Sequence, residues 1–159
     1  MRRIAFYSGV LSCVASCALQ GCKASPPGRM ETAVMNGAKH HVFVRNRHER
    51  NPIATNAQSI ADGKEAFGHY CVACHGMDGQ NTGVPFADHM KPPVPSLESA
   101  EVQSYTDGQL KWVIDNGVAP SGMPSARGIL SDDEQWAIVV YLRHLPPMGS
   151  AGEPAMYGN

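Results

Sequence analysis

The feature that most constrains this chain is Cys71-Val72-Ala73-Cys74-His75, a C-x-x-C-H pattern. The chain holds five cysteines in two groups: Cys13, Cys17 and Cys22 near the front, then Cys71 and Cys74. An odd, bunched set is no disulfide framework, so the two groups need separate explanations. Two cysteines three apart on a helix point the same way, and both can form thioethers to one porphyrin. The adjacent histidine then turns its imidazole to the iron, which is the haem-attachment reading of this spacing. A redox C-x-x-C pair would need a βαβ context, and the residues around it show no period-2 strand run. A zinc site would need two more ligands, and no further cysteine follows Cys74.

The front of the chain reads as an export address. Arg2 and Arg3 precede an apolar stretch without charge up to Lys23, the pattern of a secretory signal. Gly9, several Ser and Cys residues and Gln20 dilute it below what a spanning helix needs. Leu19-Gln20-Gly21-Cys22 resembles a bacterial lipobox, with Gln at the second place a departure from the usual small or apolar residue. The resemblance implies that residues 1–21 are a lipoprotein signal and that Cys22 is acylated, on the periplasmic side of a membrane. Cleavage nearby by ordinary signal peptidase, giving a soluble periplasmic protein, is the alternative. Two or more acyl chains anchor stably where one does not.

The whole-chain charge of −1 conceals a division. Six Lys/Arg against two Glu between Lys23 and Gln58 give +4, and five Lys/Arg against eleven Asp/Glu over 59–147 give −6. The expected order is a basic arm or linker over 22–58, a domain over 59–147 and a disordered tail over 148–159. His40 to Val44 are read as a short strand or as a segment that packs on the domain, and the rest of the arm as linker. From Pro146 onward the chain has three Pro and three Gly, which reads as disorder. A charge near neutral, without a strongly basic domain, argues against nucleic acid as partner.

Three helices are expected. Ser59 to Asp62 is read as an N-terminal box, with Ile60, Phe67, Cys71 and Cys74 on one face. Thr106 to Gln109 is a second box, leading to Leu110, Val113 and Ile114, with Gly117 as C-cap. Ser131 to Glu134 opens the last helix, which Pro146-Pro147 stop. A short helix near 97–105 is a fourth. The domain is therefore all-α, with three to five helices and long loops.

A six-coordinate iron needs a second axial ligand. Met123 stands in Ser121-Gly122-Met123-Pro124, where Gly122 permits a tight turn and Pro124 fixes the chain after it. Met77 lies too close to His75, Met90 lies in a Pro-rich loop, and Met30, Met35, Met148 and Met156 lie in the arm or tail. His69, His89 and His144 are read as surface histidines.

With these residues in place, the stretch from Ser59 to Leu145 resembles a class I c-type cytochrome of the small single-haem bacterial kind. The matching pieces are Gly63-Lys64-x-x-Phe67, Cys71 to His75, Gly122-Met123-Pro124 and Trp136 to Tyr141-Leu142. The resemblance implies a cytochrome c-like fold around one covalent haem c, held by Cys71 and Cys74 and ligated by His75 and Met123. It implies that Gly63 and Phe67 meet the last helix near Tyr141. It also implies a proline carbonyl that accepts from the proximal imidazole; Gly83-Val84-Pro85 matches by spacing, while Pro92, Pro93 and Pro95 leave the choice open. Trp112 matches a position that packs near the haem, with plain core as the equal alternative.

The implied function is one-electron transfer between membrane or periplasmic redox proteins, with no substrate chemistry. The negative domain points to partners with basic docking surfaces. A haem relay subunit of a larger respiratory or dehydrogenase complex is the second reading, and a haem-based ligand sensor the third.

Overall fold

The computed structural model describes residues 28–38 and 44–157. The signal, Cys13, Cys17, Cys22 and residues 40–43 of the His40–Val44 strand candidate lie outside the described residues. The chain divides into two units, residues 1–34 and 35–159. Of the first, residues 28–34 are described, and they enter helix α1 (Arg29–Ala38).

The second unit is built from α2 (Ala57–Tyr70), α3 (Val72–His75), α4 (Ala100–Gln103), α5 (Asp107–Asn116) and α6 (Asp132–Leu142), with 3-10 turns at Ala87–His89 and Ala119–Ser121. No strand forms among the described residues, only isolated bridges at Val118–Met123 and Arg127–Leu130. The all-α expectation holds.

Side-chain caps set where the helices begin. Thr106 and Ser131 are the N-caps of α5 and α6, each in a reciprocal box with Gln109 and Glu134. In α2 the box lies three residues earlier than the sequence suggested. Asn56 is the N-cap, its Oδ1 accepts from the Ser59 amide at 2.9 Å, and the Ser59 hydroxyl oxygen accepts from the Asn56 amide at 3.0 Å. Ser and Asn are near-equal as caps, and here the asparagine takes the outer place.

Helix α6 is the centre of the fold. Every residue from Gln135 to Leu142 is buried, the pattern of a helix covered on all sides. Its main partner is α2. Gly63 lies at the crossing: a Cβ there would sit 2.0 Å from the Ala137 carbonyl oxygen and 2.9 Å from Tyr141 Cβ. One turn on, Phe67 and Tyr141 pack with ring centroids 5.4 Å apart. Leu110 and Ile114 of α5 complete the core with Leu130 and Trp136. Arg143, just past α6, holds the start of α5. It donates to the Asp107 carboxylate at 2.9 and 3.0 Å and to the carbonyls of Gln103 and Tyr105.

Two expected boundaries differ. Residues before 59 already belong to the packed unit: Asn51 Nδ2 donates to the Trp136 carbonyl at 3.0 Å, Ile53 packs on the core, and Gly108 closes against the backbone of Asn46 and Glu49. The tail expected to be disordered is also packed. Pro154 is among the most buried side chains of the protein, and Tyr157 Oη donates to the Ala73 carbonyl at 2.8 Å. Composition misled because the burial of Pro154 and the hydrogen bond of Tyr157 tie the segment down.

Candidate haem site

Helix α2 ends where the cysteines begin. Cys71 leaves the helix with φ −110° and serves as both the C-cap of α2 and the N-cap of α3. Its carbonyl accepts from the amides of Cys74 at 3.1 Å and His75 at 3.0 Å. The two cysteines are thus set across a one-turn helix rather than along a continuous one. Gly76 stops α3 at φ +71°, and a Cβ there would meet the Thr82 backbone at 2.9 Å. That close return of the chain is open to glycine alone.

Cys71 is half-buried and Cys74 exposed, and the two form no disulfide. Burial, helped by the nearby Cys74, pushes the Cys71 thiol up to about 12. His75 moves the other way. Burial lowers its imidazole to about 4, against a smaller upward pull from the Pro95 carbonyl. The ring is therefore neutral at ordinary pH, the state in which an imidazole nitrogen can bind a metal. Its Nδ1 is buried and lacks a partner within full hydrogen-bond geometry; the Pro95 carbonyl is the backbone group that acts on the ring. Pro85, the proline that matched by spacing, and Pro95 are both exposed; Pro95 is the one whose carbonyl bears on the ring.

That loop is built on Asp78. Its side chain has 0% exposure and accepts from the Gln80 amide at 2.8 Å, the Thr82 hydroxyl at 2.6 Å and the Gly149 amide at 2.7 Å. Burial pushes its carboxyl up, but these hydrogen bonds together outweigh that and hold it below its ordinary value. Asn81, in the left-handed region at φ +65°, donates from Nδ2 to the Val94 carbonyl at 2.8 Å. Neither residue was singled out from the sequence. Asp78-Gly79-Gln80-Asn81-Thr82-Gly83 does carry the composition of an Asx-type turn, and that was the available clue.

Met123 lies on the loop between α5 and α6. The Val118 amide donates to the Met123 carbonyl at 3.0 Å. Gly122 takes the left-handed conformation at φ +77°, as the turn requires. Gly117 lies so close behind that a Cβ would sit 2.6 Å from the Met123 carbonyl oxygen. The Met123 side chain is half-buried. The Met90 methyl lies 3.6 Å from where a Gly122 Cβ would stand, so the Pro-rich loop meets this turn. Trp112 is half-buried on α5 and outside the buried core cluster.

Two cysteines beside a half-buried imidazole whose Nδ1 is buried without a partner form a donor set that suits a covalently held haem. They do not form a zinc site: among the described residues no three His, Cys, Asp or Glu side chains gather in metal-binding distance. No described helix is long and apolar enough to cross a membrane.

No curated protein matches the chain. The family described as cytochrome c oxidase, cbb3-type, subunit III matches residues 58–142, which run from the first turn of α2 to the end of α6 and contain both the C-x-x-C-H segment and the Met123 loop. The chain belongs to that family and is a class I c-type cytochrome, a haem electron-transfer protein with covalently attached haem c.

Proposed function

We propose that this protein is a single-haem electron carrier with His75 and Met123 as axial ligands. The observation that carries the reading is His75, its Nδ1 buried without a hydrogen-bond partner, directly after Cys71 and Cys74. Bound there, haem c supplies one-electron exchange between ferric and ferrous iron. Cys71 and Cys74 hold the group by thioethers, so that it is not lost. His75 would offer one ring nitrogen to the metal, and the Pro95 carbonyl, accepting from the other, would fix the ring's orientation and raise its basicity. The Met123 sulfur would be the second iron ligand and would favour the reduced state. With both ligands bound the iron would have no place for a substrate. The buried faces of α2, α5 and α6 keep water away and favour the less charged state further.

Cys22 acylation would tether this domain to the periplasmic face of a membrane, and the lipobox-like Leu19 to Cys22 supports that reading. The net −6 over residues 59–147 supports redox partners with basic docking surfaces. The family is described as an oxidase subunit, and this favours a second reading, in which the haem is a relay inside a larger complex. Gentle solubilisation and co-purification separate the two: a carrier is recovered alone, a relay with its complex.

Met123→Ala tests the ligand set. The reduced variant is expected to bind carbon monoxide and its potential to fall, while the wild-type protein does not bind carbon monoxide. An unchanged spectrum and potential would remove Met123 from the site.

A further inference from the structure

We propose that the C-terminal segment 146–157 is a strap that locks the His75 side of the haem site, with Asp78 and Tyr157 as its positioning residues. The strap lies beyond residues 58–142, which the family match covers. The inference rests on His75 being the iron ligand.

The strap meets the haem-binding segment at both ends. At its start, the Pro146 carbonyl accepts from Gln80 Nε2 at 3.0 Å, and the Gly149 amide donates to the fully buried Asp78 carboxylate at 2.7 Å. At its end, Tyr157 Oη donates to the Ala73 carbonyl at 2.8 Å. Ala73 lies between the two cysteines, in a four-residue helix whose capping Gly76 amide bonds the Val72 carbonyl and leaves the later carbonyls to partners outside the helix. In between, Pro154 is buried, Glu153 covers Gly83, and Tyr157 packs edge-on against Phe86 at 6.0 Å. A segment of this composition is ordered only where something ties it down, and these hydrogen bonds and the ring contact all go to residues 73–86.

Those residues in turn hold Pro95. The Leu97 amide donates to the Gly79 carbonyl at 2.8 Å, the Val94 amide to the Ala87 carbonyl at 3.0 Å, and Asn81 Nδ2 to the Val94 carbonyl at 2.8 Å. Pro95 is thus pinned on both sides by the loop that the strap covers. The strap keeps that loop closed and so keeps the Pro95 carbonyl at the His75 ring.

The test is solvent exchange of the His75 ring N–H, read by NMR in the ferric holoprotein through its paramagnetically shifted resonance. Tyr157→Phe is expected to speed that exchange about fivefold, the effect of one ordinary hydrogen bond on a local opening. Deletion of residues 149–159 is expected to speed it about twentyfold or more, two such bonds compounded. Amides of α2 and α6 should exchange as in the full chain. Unchanged ring exchange in Tyr157→Phe would overturn the strap, and so would an equal acceleration throughout the core. If the full chain shows no shifted ring resonance, it is the His75 assignment that fails, and the strap proposal with it.

Discussion

The crossing of α2 over α6 makes Gly63→Ala the most discriminating single change. The added Cβ would lie 2.0 Å from the Ala137 carbonyl oxygen, 2.6 Å from its carbon and 2.9 Å from Tyr141 Cβ. Ordinary contact begins at 3.4 Å, so the helices must part by about 1.4 Å. The obstacle is backbone in the middle of a helix, and no side-chain rotation relieves it. Parting the helices loosens Phe67, Ile138, Val139 and Tyr141, each at 2% exposure or less. Overpacking a core costs about 1–3 kcal/mol, and an obstacle of backbone places this change near about 3 kcal/mol. That is a large share of the roughly 5–15 kcal/mol that holds a domain together. Urea unfolding of the holoprotein, followed by far-ultraviolet circular dichroism, should show a lower midpoint at unchanged slope. Gly68→Ala is the control, since it lies in the same helix with nothing within 4 Å of its would-be Cβ. It should stabilise by about 0.5–1 kcal/mol, because alanine is the better helix former. If Gly63→Ala lay within about 0.5 kcal/mol of wild type, inside the range of ordinary surface changes, the close crossing would be refuted.

Other outcomes follow from the same structure. Ser131→Ala removes the α6 cap, whose hydroxyl oxygen accepts from the Glu134 amide at 3.2 Å, and should cost about 1 kcal/mol in the same urea assay. Asp78 is held below its ordinary value of 3.8 by its hydrogen bonds, so its contribution is full above that value and is lost as pH falls through the lower folded one. Acid titration should therefore release the Gly149 contact only below pH 3.8, seen as protection of the Gly149 amide persisting to that point. Electron transfer to a basic partner protein should slow as ionic strength rises, and a flat profile would exclude electrostatic docking. Mass spectrometry of the mature protein should show one haem and an acylated N-terminal Cys22; an unmodified N-terminus elsewhere would exclude the lipid anchor.

Much of the fold was legible because its elements are locally determined. The Thr106 and Ser131 boxes mark two helix starts, and Gly117 marks an end. The apolar run from Trp136 to Leu142 marks the central helix. The thiols and imidazole of the site were legible for a different reason: covalent attachment needs a fixed spacing. The remainder depends on contacts between distant residues. Which proline serves His75 is decided by how the loop from Gly76 to Leu97 is tied, through Asp78, Asn81 and the tail, 71 residues away in the case of Gly149 and Asp78. Asn56 and Ser59 are both good caps, and local preference alone does not separate them. The tail's composition is that of a disordered segment, and its order comes from Pro154 and Tyr157 finding partners across the chain.

The central claim is a one-electron carrier whose iron is held between His75 and Met123. A redox titration of the purified holoprotein, followed in the visible and far-red spectrum, tests it most directly. The expected result is a single one-electron transition, with a weak far-red band from sulfur–iron ligation in the oxidised form that disappears on reduction. A spectrum without that band, from a protein that binds carbon monoxide as purified, would contradict it.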